Sequence, residues 1–379
     1  MRLRHIGLLG GTLDPIHSGH LALAGEALAY GLDEVWFIPL LKEDPGCAAP
    51  AADRLEMARL ALEGKPGMKV IRTGMRHPGT MTEIAERLME KNPDCRFSFL
   101  FGADELTNPD TYLQNGKTEL LCGRMCFPRP GTRMEEYLLP AVKAGIRFCI
   151  PENAEGPDSC STNIRAKIQA LCDPTETDPR VLRYIALHGL YLPDWAGELK
   201  NHITEKRMNH TLGVRSAAVD LAFYWHGPVI KAAVAGLMHD CAKSLPLLEA
   251  REMVLRCRPD ADEEELSGNA MAHGPAGSIL AMEKYGISDP DVLNAIRWHT
   301  VGHPGMGLLE KIIFIADMIE PGRENFDGLN KIRSAAYTDL DQAMLLCLKS
   351  TKKYVLAQGK PFCQKSEETI RYFETLQKK

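Results

Sequence analysis

The chain changes its period near the middle, and that change limits what it can fold into. In the first half, short apolar runs alternate with helix-spaced segments. Ile6–Gly10, Glu34–Pro39, Lys69–Arg72 and Phe97–Phe101 read as strands, with Met125–Phe127 and Arg147–Ile150 as shorter candidates. Leu21–Tyr30, Arg54–Leu62 and Met81–Lys91 have helical spacing. Such alternation implies a parallel sheet covered on both faces, with ligands at the carboxyl ends of its strands. Pro and Gly punctuate Leu192-Pro193-Asp194-Trp195-Ala196-Gly197, which reads as the junction. Beyond it strand signals almost vanish. Helical periodicity runs through His210–Tyr224, Val229–His239, Ala270–Tyr285, Asp291–His299, Leu308–Ile319 and Leu340–Val355. The expected architecture is an α/β domain over 1–194 and an all-α domain over 200–379.

A length of 379 residues suits two domains. The net charge of −5 gives no basic field for a nucleic-acid partner. No apolar run reaches membrane-spanning length, and Met1–His5 leads into a strand-like run without the apolar core of a signal peptide. The 11 cysteines form no C-x-x-C pair and read as reduced thiols, so a cytoplasmic location is expected and zinc through cysteine is not. Self-association is left open.

The segment Gly10-Gly11-Thr12-Leu13-Asp14-Pro15-Ile16-His17-Ser18-Gly19-His20 follows a strand directly. Two glycines let the backbone approach a ligand and aim N–H groups at phosphate oxygens. Asp14-Pro15 makes a turn, and Ser18 can cap a helix beginning near Gly19, whose N-terminus favours anions. His17 and His20, three residues apart, reach one side of that helix start. They suit stabilisation of charge on a phosphoryl transition state rather than nucleophilic attack. A plain glycine turn with two surface histidines has the same spacing.

In the second half His210, His239-Asp240, His273, His299 and Asp317 sit in separate apolar segments. A lone histidine ending an apolar helix is ordinarily packed and hydrogen-bonded. Five segments that each carry a ligand-competent residue point instead to a metal site. Imidazole and carboxylate without thiolate suit iron, manganese, cobalt or zinc.

The string Gly10–His20, with its H-x-G-H box, resembles the nucleotidylyltransferase signature, and the first ~190 residues resemble bacterial nicotinate mononucleotide adenylyltransferases. Supporting segments are Gly31–Pro39, Asp53–Met57, Phe101-Gly102-Ala103-Asp104, Arg129-Pro130-Gly131 and Ser161-Thr162-Asn163-Ile164-Arg165. The resemblance implies a Rossmann-like fold and transfer of AMP from ATP to nicotinate mononucleotide with Mg2+, giving deamido-NAD and pyrophosphate. It assigns catalysis to His17 and His20. Gly10, Gly11, Thr12, Asp104, Arg129, Ser161, Thr162 and Arg165 would hold ATP, and Lys42, Arg54 and Thr82 the acceptor. Departures fall on the acceptor side. Leu40–Gly46 replaces a Pro-Pro-His-Lys segment, Gly79–Thr82 keeps only the Thr of a Ser-Tyr-Thr loop, and Glu105–Tyr112 lacks a tryptophan.

The order His210, His239-Asp240, Asp317 resembles the HD-domain metal-dependent phosphohydrolases, with His273 and His299 where two-metal members place extra histidines. Residues 200–375 are similar to bacterial symmetrical diadenosine tetraphosphate hydrolases. The shared strings include His210–Val214, His239–Lys243, Ala272–Gly277, Ala295–Gly302 and Leu309–Arg323; His303 stands where arginine is common. The resemblance implies two divalent metals, iron or manganese, and cleavage of diadenosine tetraphosphate to two ADP. Asp240 is then the bridging, catalytic carboxylate, and Lys243 and Arg323 screen the polyphosphate. Trp298 and Tyr285 could stack adenine, though core packing suits each better. An alternative makes the first half a degenerate nucleotide-binding regulator and gives the HD domain another nucleotide phosphate ester.

Overall fold

The structure, a computed structural model, describes residues 2–40, 48–72, 81–102, 122–127, 139 and 159–378, with the backbone alone at 81, 82 and 122. The described chain forms two compact units, 1–167 with 174–181, and 168–173 with 182–379. Leu192–Gly197, where a junction is expected from the sequence, lies inside the second unit.

In the first unit, β1 (Arg4–Gly11), β2 (Glu34–Pro39), β3 (Met68–Val70), β4 (Cys95–Gly102) and β5 (Cys122–Phe127) form one sheet in the order β3-β2-β1-β4-β5. Every pairing is parallel. The central strand, β1, is therefore flanked on both sides. Its apolar run is buried, with Ile6 and Leu8 packing on Trp36, Ile38, Phe97 and Phe99. The described helices are α1 (Ser18–Ala29), α2 (Ala51–Leu62), α3 (Met81–Lys91) and α4 (Ser161–Gln169), whose last two residues belong to the second unit. Strand β3 starts one residue before its expected position and ends at Val70. The strand candidate Arg147–Ile150 lies outside the described residues.

The next helix, α5 (Pro179–His188), begins in the first unit and continues in the second. Among the described residues the helices that follow are α6 (Trp195–Lys200), α7 (Glu205–Tyr224), α8 (Val229–Met238), α9 (Leu247–Cys257), α10 (Asn269–Tyr285), α11 (Pro290–Trp298), α12 (Leu308–Ile319) and α13 (Leu329–Ala335). They are followed by α14 (Leu340–Ala357) and α15 (Gln364–Leu376). Among the described residues this unit contains no strand.

Helix α8 is the centre of the helical unit. Every residue from Val229 to Met238 except Lys231 is buried, as expected for a helix that is apolar all round. It packs against α7, α11 and α12. Burying a side chain such as Ile230, Val234 or Leu237 contributes about 1.5–3 kcal/mol, so the helix has little freedom to move. Asp173 accepts hydrogen bonds from the Val229 and Ile230 amides at 2.7 and 2.9 Å and closes its N-terminus.

Helices α10 and α11 meet at Gly274, where a Cβ would stand 2.6 Å from the Arg297 carbonyl oxygen. That neighbour is backbone and cannot rotate away. Gly274→Ala is therefore expected to destabilise the chain by about 1–3 kcal/mol, read as a lower urea midpoint; an unchanged midpoint contradicts this packing.

Candidate metal centre and nucleotide site

The rigid end of α8 delivers the first two ligand-type residues. His239 is the C-cap of α8 and fully buried, and Asp240 follows at 4% exposure. His210 comes from the second turn of α7, His273 from the first turns of α10, and His299 from the C-cap of α11. Asp317 lies in the last turn of α12, which runs to Ile319. The structure thus brings all six expected residues together.

The two oxygens of Asp240 face different histidines. Oδ1 lies 3.0 Å from His273 Nε2 and 3.6 Å from His299 Nε2. Oδ2 lies 3.5 Å from His239 Nε2 and 3.8 Å from His210 Nε2. Asp317 Oδ1 is 3.1 Å from His210 Nε2 and 3.9 Å from His239 Nε2. Two overlapping sets could each hold a cation: His210, His239 and Asp317, and His239, Asp240 and His299.

Proton placement supports this use. All four imidazoles direct Nδ1 at an acceptor: His239 at the Gly236 carbonyl, His273 at that of Asn269, His299 at that of Ile296 and His210 at Glu320 Oε1. The distances are 2.8, 2.8, 2.6 and 3.2 Å in that order. An acceptor at Nδ1 fixes the proton there and leaves Nε2 as a lone pair. His210 Nε2, His239 Nε2 and Asp240 Oδ1 are buried without a hydrogen-bond partner. Each such atom costs about 1–3 kcal/mol, and a cation among them removes the cost. Burial, helped by the Lys243 charge, pushes His273 down to about 4 against the pull of Asp240. It is therefore neutral at pH 7, as a ligand must be. Burial would lower His239, but Asp240 and Asp317 outweigh it and raise it; burial would raise the Asp240 carboxyl, but His239, with His273 and His299, outweighs it and holds it well below the usual carboxylate range, so a cation bound there takes the place of a proton these groups share.

Cationic side chains surround the set. Arg207 donates to Asp240 Oδ2 at 2.6 Å, and Lys243 Nζ lies 3.7 Å from Oδ1 and 3.1 Å from His273 Nε2. Arg323 donates to Asp317 Oδ1 at 2.7 Å. Both Asp240 oxygens thus already face positive charge, which fits a carboxylate that serves two cations. A cavity of about 750 Å³ opens here, lined by Arg207, Asn209, His210, Glu320 and Arg323 among others. Arg207 and Glu320 were not anticipated from the sequence. Each lies three residues from a ligand-type residue, His210 or Asp317, and so on the same helical side. Tyr285 is buried and its carbonyl accepts from Trp195 Nε1, a packing role. Trp298 lies under Arg297, with His303 beside it, and His303 pairs with Glu310 at 2.9 Å.

In the first unit, Gly10 and Gly11 end the central strand at the carboxyl edge of the sheet. The expected cap of α1 was Ser18; the cap is His17, whose Nδ1 accepts from the Gly19 amide at 3.1 Å. An imidazole nitrogen reaches that amide as a serine hydroxyl would, while the Ser18 amide donates to the Glu176 carbonyl. His20 Nδ1 accepts from the His17 amide at 3.3 Å. Both rings therefore accept at Nδ1, which leaves the proton on Nε2 as a donor in the neutral ring.

The other first-unit residues divide. Ser161 Oγ donates to the Pro15 carbonyl at 3.0 Å and Arg165 to that of Asp14 at 2.6 Å, so α4 clamps the histidine loop. Thr162 is exposed and accepts from Arg165 at 3.2 Å. Arg54 is fully buried and donates to the carbonyls of Ala49, Thr12 and Leu40 at 3.1, 2.8 and 2.7 Å. It braces the two loops from behind, and direct contact with an acceptor is not what this geometry offers. Lys42, Asp104 and Arg129 lie outside the described residues, as does the Thr82 side chain.

Residues 8–167 match the cytidylyltransferase-like family and residues 207–322 the HD domain. A protein of Halalkalibacterium halodurans named "Bis(5'-nucleosyl)-tetraphosphatase, symmetrical" is 41% identical over 43% of this chain and 86% of its own. A Roseiflexus sp. protein named "Probable nicotinate-nucleotide adenylyltransferase" is 34% identical over 49% of this chain and 97% of its own. A Mycoplasma pneumoniae protein named "Probable nicotinate-nucleotide adenylyltransferase/Ap4A hydrolase" is 27% identical over 92% of this chain and 98% of its own. With the parallel sheet, the histidine-capped loop and the histidine–aspartate cluster in place, the chain belongs to the nicotinate-nucleotide adenylyltransferase family in its first half and to the HD-domain symmetrical bis(5′-nucleosyl)-tetraphosphatase family in its second.

Proposed function

We propose that the chain is a bifunctional nucleotide enzyme. Its first unit transfers AMP from ATP to nicotinate mononucleotide, with Mg2+, and its second hydrolyses diadenosine tetraphosphate to two ADP. The observation that carries the reading is the opposite Nδ1 neighbour in the two histidine sets, acceptors in the second unit and backbone amides in the first. The second unit's four imidazoles converge with lone pairs at Nε2, and the first unit's two present Nε2–H.

In the helical unit His210, His239, His273, His299, Asp240 and Asp317 would hold two divalent cations. Nitrogen and oxygen donors without thiolate favour iron or manganese. Bound there, such cations supply Lewis acidity and make a water acidic enough to attack phosphorus near neutral pH. Asp240, with one oxygen toward each histidine pair, keeps the two positions in register. Arg207, Lys243 and Arg323 bring three positive charges to the rim, where a polyphosphate must lie.

In the first unit the donors at His17 and His20 face developing charge on the transferred phosphoryl group without taking part as nucleophiles. The Gly10-Gly11 turn and the start of α1 offer backbone N–H groups to the same oxygens. Ser161 and Arg165 keep that loop in place, and Thr162 and Arg165 stand at its edge as phosphate contacts. Lys42, Asp104, Arg129 and Thr82 complete the proposed set. No helix among the described residues is long and apolar enough to cross a membrane. Cys95, Cys241 and Cys347 are buried unpaired thiols, which supports a cytosolic setting.

Product analysis tests the reading. With ATP, nicotinate mononucleotide and Mg2+ the chain is expected to form deamido-NAD and pyrophosphate. With diadenosine tetraphosphate and Mn2+ or Fe2+ it should release ADP alone. ATP and AMP from the second mixture would contradict symmetrical cleavage; no dinucleotide from the first would leave the first unit a regulator.

Glu320 supplies a second test. It is buried, accepts from His210 Nδ1, and packs over Gly213, where a Cβ would come within 2.6 Å of its Oε2. By orienting His210 it tunes the metal without touching it. Glu320→Ala is expected to weaken metal affinity by roughly ten- to a hundredfold, measured by competition with a chromogenic chelator. Wild-type affinity in that variant contradicts the orienting role.

A further inference from the structure

A second cavity, of about 610 Å³, adjoins the one at His210, and the two share Arg323 and Glu324. Phe326, Asp327, Ser350, Lys353 and Tyr354 line it. Its inner end is the metal centre's edge, because Arg323 bonds Asp317 Oδ1 and Met318 also lines the wall. The outer end is aromatic and cationic. Tyr354 on α14 is 68% exposed, Phe326 is half-buried, and Lys353 pairs with Asp327 at 3.3 Å. Exposed as it is, Tyr354 contributes little to the core.

The proposed substrate has two identical ends. Cleavage at its centre puts a nucleoside and two phosphates on each side of the reacting bond. A polyphosphate laid along Arg323 must therefore send one nucleoside into each cavity or leave one in solvent. Resting on the hydrolase reading above, we infer that the second cavity seats one of the two nucleosides, with its base against Tyr354 and its phosphates toward Lys353 and Arg323. An aromatic face beside cations and a hydroxyl is what a nucleotide end recognises. The seat explains how a centre flanked by two cavities selects a dinucleoside substrate.

Tyr354→Ala in the full chain tests it. The expected result is a KM for diadenosine tetraphosphate raised about tenfold, the lower part of the range for loss of a base stack, with the change in KM rather than kcat. Tyr354→Phe should keep the low KM because the stacking face remains. The melting temperature and the KM for ATP in the transferase reaction should be unchanged in both variants, which separates a lost seat from a lost fold. An unchanged KM in Tyr354→Ala, or a fall in kcat alone, overturns the seat while leaving the hydrolase intact. If the wild-type chain releases no ADP from diadenosine tetraphosphate, the functional reading fails and the seat falls with it.

Discussion

The partner at histidine Nδ1 is the constraint on which the rest of this chain's chemistry depends. In the helical unit that partner is a backbone carbonyl for three rings and a carboxylate for the fourth. A proton held on Nδ1 leaves the Nε2 lone pair available to a cation. In the α/β unit both rings meet a backbone amide at Nδ1, and His17 Nδ1 also has the Ser159 hydroxyl at 3.0 Å. The proton moves to Nε2, and the ring becomes a donor to anions. On the proposed function, one residue type would serve cations in one unit and phosphate oxygens in the other. The partner at Nδ1 decides which.

For His239, His299 and His17 the backbone arrangement follows from how the helix ends. His239 and His299 are C-caps, where the last carbonyls lack partners within the helix, so Nδ1–H bonds to Gly236 and Ile296 also satisfy helix ends. His17 is an N-cap, where the first amides lack partners, so its Nδ1 accepts one. The buried length of α8 then holds His239 and Asp240 in place. Desolvating a carboxylate and four imidazoles is costly, and the tight apolar packing around them keeps the cluster assembled.

Much of this was legible in the sequence. The parallel sheet followed from alternating period, and α8 was plain because nine of its ten residues are apolar or glycine. The six ligand-type residues stood out because five separate apolar segments each carry at least one of them. Other features carried weaker signals. Helix α9 buries only Ala250 and Val254, and α15 opens on a polar stretch, so neither shows a broad apolar stripe. Arg207 and Glu320 look like ordinary surface charges until their i,i+3 relation to His210 and Asp317 is noticed. The resemblance puts Arg54 on the acceptor side, yet it is buried among three carbonyls. His17 as a cap is invisible to rules that expect Ser, Thr, Asp or Asn there.

The most direct test is the tautomeric state of these histidines, read from long-range 15N–1H spectra of the chain labelled with [15N]histidine and assigned by single substitutions. With diamagnetic Zn2+ bound, the account predicts the Nδ1–H form for His210, His239, His273 and His299, with Nε2 shifted by the metal. It predicts the Nε2–H form for His17 and His20. Nε2–H at His239 or His299 in the metal-bound chain, or Nδ1–H at His17, would contradict it.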